Sequence, residues 1–137
     1  MADSTSRRIA PKLGAASFSV GMPNFVALYA LNASLRYLEG IGVSAIARHA
    51  GPLVDAAYTG LVTLGLQPLA PRQPGTATGI LAFKHPASES LHRALEAKNI
   101  HVMHHAGRIR IALHGYNTPQ DVDHLLAVLG EALTAVG

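Results

Sequence analysis

The chain has 137 residues, 49% of them hydrophobic and only 14% charged, with a formal net charge of +3 and no cysteine. That composition suits one packed domain and argues against a disordered chain. It also excludes disulfides, thiolate metal sites and a cysteine nucleophile. The low charge suggests a surface that is partly covered by something else. The basic pair Arg7-Arg8 is the densest cationic run, and no aromatic residues interleave with basic ones, so no nucleic-acid partner is expected. No apolar run reaches membrane-spanning length and residues 1–19 lack the apolar stretch of a signal peptide, so no membrane partner and a cytoplasmic location are expected.

Residues 1–20 are small and polar and read as an arm or linker, leaving 21–137 as the folded domain. Gly21-Met22-Pro23-Asn24 is a turn. Asn24 caps a helix with Phe25, Leu28, Leu31, Leu35 and Leu38 at helical spacing, and Gly40 and Gly42 end it. Ser44 is placed to cap a second helix carrying Ile46, Leu53, Ala57, Leu61 and Leu64, which Gly51-Pro52 should kink or split before Gly65 closes it. A short strand is expected over Leu66 to Leu69, then a Pro/Gly-rich loop from Ala70 to Thr78.

Gly79 to Lys84 reads as a strand ended by His85-Pro86, and Ser88 as the cap of a third helix with Leu91 and Leu95 turned inward. A strand at Ile100 to Met103 and a turn at Ala106-Gly107 lead to an antiparallel partner, Arg108 to Leu113. A last helix starts at Thr118-Pro119-Gln120-Asp121, with proline at its first position, an acid in its first turn and a stripe of Val122, Leu125, Leu126, Leu129 and Leu133. The expected architecture is an α+β two-layer sandwich, a small, mostly antiparallel sheet packed by helices.

Strand alternation puts Ile109, Ile111 and Leu113 on one face and Arg108, Arg110 and Ala112 on the other. An arginine on a strand beside a cleft suits a carboxylate, because its planar fork donates two parallel hydrogen bonds. Arg108 has the same facing and reads as solvated or paired with a carboxylate. His101, His104, His105 and His114 are dense, yet the nearest acids, Glu96 and Asp121, belong to helices, and no metal site is expected. On strand alternation His101 and His105 share a face while His104 looks away. Tyr116-Asn117-Thr118 reads as turn and capping chemistry.

Gly-Met-Pro-Asn-Phe (21–25), Ile-Gly-Val (41–43), Phe-Lys-His-Pro (83–86), Arg-Ile-Arg-Ile-Ala (108–112) and Tyr-Asn-Thr (116–118) occur in the order found in the C-terminal part of the class V aminotransferases. From about Lys12 onward the chain resembles that part of the family, the pyridoxal-phosphate enzymes of cysteine desulfurase and isopenicillin epimerase type. The resemblance implies the small domain of a fold-type I enzyme, with Arg110 holding the substrate carboxylate. It also implies that Gly21 and Met22 contribute backbone amides toward the cofactor phosphate, Met22 standing where the family turn has a threonine.

In the family a larger upstream domain carries the Schiff-base lysine, the aspartate on the pyridinium nitrogen and a ring-stacking histidine. Lys12, Lys84 and Lys98 do not lie in that context, so no catalytic residue is assigned here. Pyridoxal phosphate is then expected on a large domain or subunit, or within a homo-oligomer, rather than on this chain alone. The desulfurases' persulfide cysteine is missing, which points to aminotransferase-, epimerase- or lyase-like chemistry on an amino acid. The alternative is a non-catalytic dimerisation or protein-interaction module derived from that domain.

Overall fold

The computed structural model describes residues 12–18, 21–72 and 78–136. Residues 1–11 and 19–20 of the expected arm and 73–77 of the Pro/Gly-rich loop therefore lie outside the described residues. The chain divides into two compact units, Met1–Gly40 and Ile41–Gly137. In the first, a 3-10 turn at Gly14–Phe18 precedes helix α1, Phe25–Ile41. As the sequence implies, the Asn24 side-chain oxygen caps α1 by accepting the Ala27 amide at 3.1 Å. None of the residues of α1 is buried, and its apolar stripe stays exposed, Leu31 at 54% and Leu35 at 56%.

The second unit contains α2 (Val43–Thr63), β1 (Ile80–Lys84), α3 (Ser88–Glu96), β2 (Met103–His105), β3 (Arg108–Ala112) and α4 (Pro119–Val136). The three strands form an antiparallel sheet in the order β1-β3-β2. α2, α3 and α4 cover one face, with α4 touching both of the other two helices. Leu81 and Phe83 of β1 and Ile109 and Ile111 of β3 turn toward those helices and join Leu61, Leu91, Leu95, Val122 and Leu129 in one core. This is the expected two-layer α+β arrangement. The sheet's other face carries Arg108 and Arg110.

Local starts and stops differ from the sequence reading in instructive ways. The second helix begins at Val43, not at a Ser44 cap. Gly42, at a φ of 84°, reverses the chain, and its carbonyl accepts the Ala45 and Ile46 amides. Gly51-Pro52 does not split α2, which runs continuously to Thr63. Proline leaves one carbonyl without its helical donor, that of Arg48. Arg48 and Pro52 are both exposed, so the group lies on the solvent side of the helix rather than in the core.

The strand expected at Leu66 to Leu69 shrinks to one bridge, Pro68 to Phe83, with the Leu69 amide donating to Ala82 at 2.7 Å. Pro68 has no amide to extend the ladder. Ser88 does not cap α3. The preceding Ala87 occupies the cap position, and its amide donates to His85 Nδ1 at 3.2 Å. The buried Ser88 hydroxyl instead lies 3.1 Å from His104 Nε2.

β2 starts at Met103 rather than Ile100. Asn99, at a φ of 59°, ends α3 and the Ile100 amide returns to the Leu95 carbonyl, so residues 100–102 leave a helix before they can join a sheet. Ala106 and Gly107, both at positive φ, make the two-residue hairpin turn that the sequence places there.

Thr118 and Asp121 open α4 with a reciprocal cap. The Thr118 amide donates to Asp121 Oδ2 at 2.8 Å and the Asp121 amide to Thr118 Oγ1 at 3.4 Å. The backbone hydrogen bond from Thr118 holds the Asp121 carboxyl below its ordinary value. A depressed folded pKa stabilises the fold above the unfolded pKa, and that stabilisation is lost as pH falls through the folded value. Asp121→Asn is therefore expected to flatten the acid side of the stability profile, below the ordinary carboxylate range. Thermal melts across that range test it, and an unaltered acid limb would remove the carboxylate from this role.

Candidate functional site

The pairing register decides which side chains share the sheet's outer face. Arg108 of β3 stands opposite Lys84 of β1 and His105 of β2. One step along, Arg110 stands opposite Ala82 and Met103. Because β3 is the central strand, both arginines rise from the middle of the sheet. Its exposed-buried-exposed-buried-exposed pattern sends them away from the core. They line a hollow of about 150 Å³ together with Ala82, Met103 and His105.

Two arginines make the hollow cationic. Among the described residues the ion pairs are Arg72 with Asp55, His92 with Glu96 and Arg93 with Glu89, so neither Arg108 nor Arg110 is matched to a carboxylate. Ala82 and Met103 leave room beside Arg110, one by being small and the other by bending. A guanidinium with room beside it can donate two parallel hydrogen bonds to a planar anion.

The four clustered histidines are dispersed. His104 faces the helices, beside Ser88 and stacked on His92 with ring centroids 5.4 Å apart. His105 joins the arginines, whereas His101 precedes β2 and lines a second hollow with His124 and Asp121 at the α4 end of the sheet. Strand alternation therefore does not bring His101 to His105, because the chain there is leaving α3. His114 stacks on Tyr116. Among the described residues no group of three or more metal-ligating side chains is placed to hold an ion. Gly21, at a φ of 86°, and the exposed Met22 belong to the first unit and precede α1.

Sequence reading singled out Arg110 but not its surroundings. Lys84, Ala82 and Met103 reach this face through cross-strand register, for which a single strand's alternation carries no signal.

The aminotransferase class-V family model matches residues 11–125, most of the chain. The chain belongs to the aminotransferase class-V family. An uncharacterized aminotransferase of Bacillus subtilis (strain 168), YcbU, is 32% identical over 109 residues, covering 80% of this chain and 29% of that protein. A probable cysteine desulfurase of Pyrococcus abyssi is 27% identical, over 87% of this chain and 33% of its own length. Among solved structures, an apo cysteine desulfurase from Thermococcus onnurineus NA1 superposes with a TM-score of 0.74 at 26% identity, over 88% of this chain and 34% of that one. This class-V chain thus spans about a third of the length of the relatives it matches. The α+β arrangement described above is shared with that neighbour. Among the described residues no helix is long and apolar enough to cross a membrane.

Proposed function

We propose that this chain is the C-terminal small domain of a class-V, pyridoxal-phosphate-dependent enzyme acting on an amino acid, with Arg110 holding the substrate's carboxylate. The observation that carries the reading is the position of Arg110. It sits on the outer face of the central strand, beside Ala82 and Met103, with no carboxylate matched to it among the described residues.

The same hollow suits an anionic group better than the cofactor ring. It holds no acid to pair with a pyridinium nitrogen, and its nearest lysine, Lys84, lies next to Arg108 at the end of β1. On this reading the cofactor is held by a larger domain or subunit, and this chain's contribution is to bind and orient the amino acid. With no cysteine in the sequence, the chain supplies no persulfide-forming thiol, which favours aminotransferase-, epimerase- or lyase-like chemistry.

Incubation with pyridoxal phosphate, borohydride reduction and intact-mass analysis tests this division of labour. The expected result is no stoichiometric adduct, only slow scatter over Lys12, Lys84 and Lys98. One lysine labelled specifically and completely would mean that the chain holds the cofactor unaided, and the reading would fail.

A second reading is favoured by α1. Its exposed stripe of Leu28, Leu31, Leu35 and Leu38 is a surface suited to burial against protein. A dimerisation or interaction module without catalysis would use it that way. The two readings part at Arg110, since only the first requires a carboxylate to bind there.

A further inference from the structure

The row beside Arg110 is harder to explain than Arg110 itself. Lys84, Arg108 and His105 are direct cross-strand partners on one face. Like charges placed opposite one another across a sheet, as Lys84 and Arg108 are, destabilise it. The chain's net charge is only +3, so this concentration is local and does not simply reflect a basic protein. None of the three finds a carboxylate among the described residues. Arg108 is exposed and has no carboxylate partner among the described residues, the solvated alternative of its sequence reading.

Arg108 and Arg110 are two residues apart on one strand, which places their Cα atoms about 6.5–7 Å apart on the same face. Both line the same hollow of about 150 Å³. A monocarboxylate satisfies one of them. A molecule with two acid groups separated by a short aliphatic chain satisfies both and also relieves the repulsion between Lys84 and Arg108.

We propose that Arg108, backed by Lys84 and His105, is a second anion subsite, and that the amino acid bound here is dicarboxylic, with its side-chain acid on Arg108. The proposal rests on Arg110 holding the α-carboxylate. Arg108 then sets specificity: it favours acidic substrates over neutral ones through a charge-assisted pair that a neutral side chain does not make.

The test is an NMR titration of the full chain at low ionic strength, where exposed charges are least screened. The ligands are glutarate, butyrate and inorganic phosphate. Glutarate is expected to bind about tenfold more tightly than butyrate. Arg108→Gln is expected to bring glutarate down to the butyrate level without changing butyrate, and Arg110→Gln to weaken both. Both arginines are exposed, so the variants leave the core untouched, and retained amide dispersion verifies this.

If glutarate and butyrate bind equally while Arg110→Gln still weakens both, the second subsite is overturned and the clamp stands. If Arg110→Gln changes neither acid, the clamp itself is wrong. If phosphate binds more tightly than glutarate and loses that affinity in Arg108→Gln, the row serves a phosphate and the dicarboxylate assignment fails.

Discussion

Arg110→Ala is expected, on the small-domain reading, to lower kcat/KM by roughly 10²-fold or more once the chain is assembled with a cofactor-bearing domain, mainly through substrate binding. A charge-assisted hydrogen bond contributes about 1.5–3 kcal/mol, and a bidentate guanidinium–carboxylate pair makes two. The lower end of the combined range applies because Arg110 is exposed on this unit. Arg110→Lys keeps the charge but not the fork, so it should recover only part of the loss. The core side of β3 is untouched by either change, and thermal melts should move little. Unchanged KM and kcat in Arg110→Ala, with the fold intact, would remove Arg110 from substrate recognition and leave the interaction-module reading ahead.

The other large effect concerns what holds that strand in place. Phe83→Ala is expected to destabilise the second unit by about 3–5 kcal/mol. Phe83 has no solvent exposure, pairs with Ile109 across the sheet and bridges to Pro68. Removing its ring leaves a cavity between the sheet and the helices, at the junction where β1 supports the central strand. A small domain has a total stability of only about 5–15 kcal/mol, so this is a large share of it. The melting temperature should fall by at least about 12 °C.

Ile80→Ala supplies the control. Ile80 lies on the same strand with its side chain on the outer face, 49% exposed, and its truncation should cost within about 0.5 kcal/mol. Equal losses in the two variants would mean that the sheet's facing has been assigned the wrong way round.

Local chemistry made much of this protein legible from its sequence. The Asn24 cap, the Ala106-Gly107 turn, the Thr118 and Asp121 start of α4 and the alternation of β3 each depend on residues within a few positions of one another. Their interactions form whatever the rest of the chain does, so the sequence suffices to read them. The same locality explains the failures. Ser44 and Ser88 are sound caps by type, but Gly42 reversed the chain two residues ahead of Ser44, and His104 took the Ser88 hydroxyl from sixteen residues away. Gly51-Pro52 reads as a kink or split in its helix, yet α2 is not split there; the proline lies on an exposed turn, where the freed carbonyl is not sealed in the core.

The site divides along the same line. The two-residue period of one strand is enough to turn Arg110 away from the core, and the quoted motifs are enough to suggest its family. What stands beside Arg110 depends on register between strands that lie about twenty-five residues apart, from β1 to β3. A shift of one residue there would replace Lys84 and Ala82 on the outer face with core residues. That register is set by the packing of Phe83, Ile109 and Ile111 against α2, α3 and α4, a collective property of the core. By itself, then, the sequence determined an outward-facing arginine on β3. Only the tertiary structure decided that it shares its hollow with Arg108, His105, Ala82 and Met103, because cross-strand neighbours are chosen by how the whole sheet settles on its helices.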